Sequence, residues 1–111
     1  MIFIELRAFS RRRAEFFDDE SFRALQTVLL ENPEAGAEIK GTGGLRKLRW
    51  AIEGHGKRGG VRVIYAPLRI RVVILLMLVY QKNEQEDLTA EQKKILRVLV
   101  EQEIIGIQGE P

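Results

Sequence analysis

VRVIYAPLRIRVVILLMLVYQ, residues 61–81, decides the fold. In its first part Val61, Val63 and Tyr65 alternate with Arg62, Ile64 and Ala66, a β pattern rich in branched side chains that Pro67 is expected to end. In its second part residues 72–80 form an unbroken apolar run of strand length. Such a run predicts a central strand buried on both faces. It is too short to cross a bilayer and follows directly on Arg69 and Arg71, so no membrane span is expected.

Working upstream, the glycine connector GHGKRGG (residues 54–60) joins this region to LRKLRWAI (residues 45–52). Alternation in that strand sets Lys47 and Arg49 on one face with Leu45, and Arg46, Leu48 and Trp50 on the other. A turn cluster, GTGG (residues 41–44), precedes it. Further back, Asp18 has the position of a helix N-cap. Asp19 and Glu20 load the first turn with negative charge, and Phe17 and Phe22 stand at hydrophobic-staple spacing. Phe22, Leu25, Val28 and Leu29 then repeat at helical spacing until Asn32-Pro33 stops the helix. Arg11, Arg12 and Arg13 lead into a short helix over Ala14, Phe16 and Phe17, and residues 2–6 read as an opening strand.

Downstream, Thr89-Ala90-Glu91-Gln92 has capping-box form. Ile95, Leu96, Leu99 and Val100 make one apolar helix face, with the helix ending near Ile104. Residues 106–111 are expected to be a disordered tail. The predicted fold is therefore α+β: an N-terminal strand and two helices, a three-stranded antiparallel meander, and a C-terminal helix. It fits one domain over residues 1–105.

At 111 residues the chain is of single-domain size, and 45% of it is apolar. The absence of cysteine excludes disulfides, thiolate metal sites and a cysteine nucleophile. His55 is the sole histidine, so no multi-histidine metal centre is expected and no cofactor is implied. The opening MIFIELRAF has neither basic leader nor small-residue cleavage site, so the expected location is the cytoplasm.

A net charge of +2 hides a strong asymmetry. Residues 40–71 carry nine basic side chains against one acid, Glu53, or +8, whereas the flanks sum to −6. A field of that kind suits a polyanionic partner. Gly54-His55-Gly56-Lys57-Arg58-Gly59 satisfies G-x-G-x-x-G in letters, but a strand follows instead of the helix that a dinucleotide site needs. A flexible hairpin connection accounts for its glycines and leaves Lys57 and Arg58 at its tip unexplained. Histidine is the residue type whose unperturbed pKa suits a general base, but His55 is better read as an exposed loop residue with no fixed partner. Glu53 is better read as a partner for a nearby arginine than as a catalytic acid.

The informative constellation is Lys47 and Arg49, Arg46, Lys57 and Arg58, Arg62, and Lys82 beyond the buried run. Neighbouring strands lie ~4.8 Å apart, so cations from three strands can converge on one phosphate chain. Tyr65 and Tyr80 are candidate stacking faces for RNA bases.

Three segments, GTGGLRKLRW (residues 41–50), GHGKRGGVRVIYA (residues 54–66) and LVYQKNEQEDLT (residues 78–89), together resemble the RelE/HigB toxins, the HigB branch most closely. The resemblance implies a microbial-RNase-like α+β domain that enters the ribosomal A site and cuts translated mRNA without a metal. It also implies a HigA-like helix-turn-helix antitoxin as partner. Lys47 and Arg49 match the two basic positions of the family's second strand. Arg62 matches the arginine of its G-x-R-[VIL]-[VIL]-Y strand, and Lys82 with Asn83 matches its late basic pair. Two departures stand out. Asn83 replaces an arginine of RelE, and Leu88 and Thr89 occupy the stretch where RelE carries a late tyrosine. Arg62, Arg49, Lys82 and Lys47 are thus the expected catalytic set, with either lysine as the proton-transfer group. Two other readings use the same fold or surface: a ParE-like gyrase inhibitor, which does not need the cationic cluster, and a plain RNA-binding module.

Overall fold

A computed structural model of the chain describes residues 2–52, 60–68 and 73–109. The elements run β1 (Ile2–Glu5), α1 (Arg7–Phe16), α2 (Asp19–Glu31), β2 (Ala37–Glu38), β3 (Arg46–Trp50), β4 (Val61–Leu68), β5 (Val73–Gln81) and α3 (Ala90–Gly109). They build one five-stranded sheet in the order β1-β5-β4-β3-β2. The meander β2 to β5 is antiparallel, and β1 pairs parallel with β5, Ile2 against Val73 through Glu5 against Leu76. The α+β expectation holds, with β2 added as a short fifth strand.

Alternation along β4 and β5 feeds two cores, one on each face of the sheet. On one face Val61, Val63, Tyr65 and Leu76 pack against Phe9 and Phe16 of α1 and Leu25 and Leu29 of α2. On the other, Ile64, Ala66 and Leu75 meet Leu45, Leu88 and Leu96, with Leu99, Val100 and Ile104 of α3 alongside. Burial on both sides is what the continuous apolar run requires. Between Ile64 and Tyr65 the β4–β5 register shifts, since Ile64 pairs with Leu78 and Tyr65 with Leu76. Met77 is the extra residue of a bulge, and it is fully buried.

The capping signals of α2 hold. Asp18 Oδ1 accepts from the Ser21 N–H at 2.7 Å, and Ser21 Oγ accepts from the Asp18 N–H at 3.0 Å. Phe17 and Phe22 close the staple with ring centroids 6.0 Å apart. At the other end of α2, Asn32 is the C-cap. In α3, Gln92 N–H donates to Thr89 Oγ1 at 3.1 Å and Thr89 N–H to Gln92 Oε1 at 2.9 Å.

Four expectations need correction. Pro67 does not end its strand: β4 continues to Leu68, with Pro67 paired to Ile74. Its other neighbour, β3, has already ended at the Arg46–Tyr65 pair, so on that side the missing N–H costs no ladder bond. The first helix begins at Arg7 and leaves Phe17 outside as its C-cap. Its N-cap, Leu6, has no capping side chain, so the start carries no local signal. Ile95 does not join the packed face of α3 and is 51% exposed, whereas Leu96 is 6% exposed. Finally, α3 continues past Ile104 to Gly109, through residues expected to be a disordered tail. One glycine inside a helix costs only ~1 kcal/mol, and Ile104 is anchored on the second core. Among the described residues no helix is long and apolar enough to cross a membrane.

Candidate nucleic-acid interface

At one end of the sheet the register sets Arg49 opposite Arg62, and Arg62 opposite Tyr80. Residues directly opposite have Cβ atoms ~4.5–5.5 Å apart, so two guanidinium stems rise side by side from one face. Arg49 is exposed, while Arg62 is only 5% exposed. Gly60 packs close against β3 here: a Cβ on it would stand 3.1 Å from the Trp50 carbonyl oxygen and 3.9 Å from Arg62 Nη1. Lys82 lies just past β5 at the same end, its N–H directed at the Gly60 carbonyl at 3.5 Å, with its side chain exposed.

Ion pairs among the described residues engage Arg12, Arg13 and Lys47, and none engages Arg49, Arg62 or Lys82. Arg62 thus has no carboxylate partner among the described residues, and a buried charge is costly where nothing pairs with it.

Lys47 lies on the Arg49 face, one alternation away, and its Nζ stands 2.6 Å from Asp87 Oδ1. Asp87 is 74% exposed yet sits in a cationic field. Its carboxyl is held below the ordinary range by the hydrogen bond from Lys47, then by the charges of Lys47, Lys93 and Arg49. An open cleft lined by Ile39, Lys40, Lys47, Asp87, Leu88 and Lys93 runs beside this pair.

The register therefore brings Arg49, Arg62 and Lys82 to one end of the sheet, with Lys47 one alternation further along the Arg49 face, opposite Ile64. Arg46 does not join them. Its position in the alternation turns it to the opposite face, where Nη1 donates to the carbonyl oxygens of Gly36 at 2.6 Å and Glu34 at 3.3 Å. It braces the α2–β2 connection. The stacking role expected of Tyr65 and Tyr80 also fails, because both rings are buried, at 0% and 2% exposure. Tyr65 OH accepts from the Gly36 N–H and donates to the Pro33 carbonyl, both at 2.8 Å. Tyr80 OH reaches the Glu86 carbonyl at 3.4 Å, under the loop that carries Asp87. Burial pushes both phenols up. Asn83 is exposed beside Lys82. Lys57, Arg58, His55 and Glu53 lie outside the described residues.

Sequence reading missed Asp87, and also Arg12 and Glu84, whose guanidinium and carboxylate meet across the molecule at 2.8 and 2.9 Å. No short-range pattern joins positions so far apart. Among the described residues no group of three carboxylate or imidazole side chains is placed to hold a metal ion.

No protein-family model matches the chain. Among solved structures it is similar to a double arginine-to-alanine mutant of the E. coli toxin RelE in the free state. The TM-score is 0.52 at 20% identity, over 77% of this chain and 86% of that one. The fold is thus RelE-like.

Proposed function

We propose that the chain is the toxin of a toxin–antitoxin pair: an endoribonuclease that cuts translated mRNA in the ribosomal A site. The observation that supports this most is Arg62, buried against Arg49 with no carboxylate partner among the described residues. That pair is built for an anion that arrives from outside. The RelE-like fold and the resemblance of three segments to HigB toxins support reading that anion as an RNA phosphodiester.

In the proposed reaction the 2′-oxygen gives its proton to solvent water and attacks the adjacent phosphorus. The bond to the 5′-oxygen breaks, and that oxygen leaves with a proton, giving a 2′,3′-cyclic phosphate and a 5′-hydroxyl. Negative charge gathers on the non-bridging oxygens and on the leaving oxygen. Arg62 and Arg49 present forked donors to the former. Lys82, exposed at the rim, donates to the leaving oxygen. Lys47 is partly neutralised by Asp87 and contributes by orientation and charge. With no fixed general base in this set, the ribosome positions the RNA, and naked RNA is a poor substrate. Asn83, exposed beside Lys82, extends the RNA contact, and Lys57 and Arg58 keep the RNA-binding role expected of them from the sequence. The proposed partner is a HigA-like helix-turn-helix antitoxin.

Arg62→Ala tests this reading. Growth arrest and cleavage on translating ribosomes should fall by ~10²–10³. The melting temperature should hold, because the charge removed makes no ion pair among the described residues. Mapping 5′ ends after brief induction should show cuts at a fixed codon phase. A fully toxic Arg62→Ala protein overturns the proposal, and altered DNA supercoiling in a gyrase assay would favour the ParE-like reading instead.

A further inference from the structure

Arg12 belongs to α1, far in sequence from the cationic residues, yet it addresses the turn that carries one of them. Its Nη1 and Nη2 donate to Glu84 Oε2 and Oε1 at 2.9 and 2.8 Å, a two-pronged contact. The same Glu84 Oε1 accepts the Gln81 N–H at 2.9 Å, while the Glu84 N–H donates to the Gln81 carbonyl at 3.0 Å. Glu84 therefore closes the turn Gln81-Lys82-Asn83-Glu84 with both backbone and side chain, leaving Lys82 and Asn83 as its central residues.

The guanidinium is itself held. Arg12 Nε donates to Glu15 Oε2 at 3.1 Å, and its Cζ lies 4.8 Å from the centre of the Phe16 ring. Phe16 is anchored in the first core. A chain of contacts thus runs from that core through Arg12 and Glu84 to the turn that carries Lys82. Isolated, partly exposed ion pairs add little stability, so the geometry of this contact is its more informative property.

We propose that Arg12 and Glu84 are positioning residues that hold the Lys82 turn in register with Arg49 and Arg62. The inference rests on Lys82 acting in RNA cleavage, as proposed above. A two-point fork suits such a task, because it fixes orientation as well as distance.

The test is a double-mutant cycle read in cleavage on translating ribosomes, with thermal melting as the check on folding. Lys82→Ala should lower cleavage by ~10²–10³. Arg12→Ala should lower it by on the order of tenfold or more, up to the ~10²-fold that a displacement of about 1 Å costs. Added to Lys82→Ala, it should lower cleavage no further. Glu84→Gln gives a second arm that keeps side-chain shape and an acceptor for the Gln81 N–H. It should lose less than Arg12→Ala and be equally silent beside Lys82→Ala. Equal losses in both backgrounds, or normal cleavage by Arg12→Ala, overturn the positioning role while leaving the nuclease reading intact. Normal cleavage by Lys82→Ala overturns both the role of Lys82 and this inference.

Discussion

Two tyrosines in the same sheet show how much a single side chain's partners matter. The Tyr65 hydroxyl makes two bonds of 2.8 Å that tie Pro33 and Gly36 to the sheet. Gly36 has no room for a side chain there, since a Cβ would come within 2.8 Å of the Lys47 carbonyl oxygen. Tyr65→Phe strands a buried N–H and should cost about 1–3 kcal/mol by urea denaturation. The Tyr80 hydroxyl makes one contact of 3.4 Å, so Tyr80→Phe should cost about 0.5 kcal/mol or less. Neither change should weaken RNA binding, because neither ring is open to a base. Alternation along β4 and β5 tells which residues share a face. It does not tell whether the β4 face is covered, and that is why Tyr65 reads as a stacking platform; Tyr80 ends the apolar run, whose burial on both faces already argues against that role.

At the scale of elements, legibility followed the presence of side-chain signals. The Asp18 cap, the Phe17–Phe22 staple and the Thr89–Gln92 box are local, so α2 and the start of α3 could be read directly. The start of α1 uses Leu6, which has no capping group, and β2 spans two residues held by pairing with β3. Neither leaves a mark in the residues themselves. The adjacent pair Ile95 and Leu96 makes the same point energetically. Leu96→Ala should cost about 2–5 kcal/mol, since it empties part of the second core. Ile95→Ala should stay within about 0.5 kcal/mol. Chemical denaturation of the two variants checks which residue holds α3 to the sheet.

For the molecule as a whole, charge governs the response to acid. Glu84 is held below its ordinary 4.5 by Arg12, while Asp18 and Asp87 are held below 3.8 by Ser21 and Lys47 respectively. Each binds fewer protons folded than unfolded in this window. The stability they contribute is therefore present above the ordinary values and lost as pH falls through the lower folded ones. Urea midpoints should hold from neutral pH to about pH 5 and decline below pH 4. Glu84→Gln should start with a lower midpoint and decline less steeply. A midpoint independent of pH down to pH 3 would contradict the depressed carboxyls.

The α+β class, the buried central strand, the helix caps and the cationic middle of the chain were all determined by the order of residues. Each is a periodicity, a short-range hydrogen-bond pattern or a sum of charges, and none needs knowledge of what lies opposite. Tertiary structure alone decided that Arg49 faces Arg62, that Arg46 turns away, that the tyrosines are sealed, and that Asp87 and Glu84 reach Lys47 and Arg12. Those facts depend on strand register and on the meeting of groups far apart in the chain. Register follows from packing on both faces at once, and long-range pairs exist only after the chain has closed.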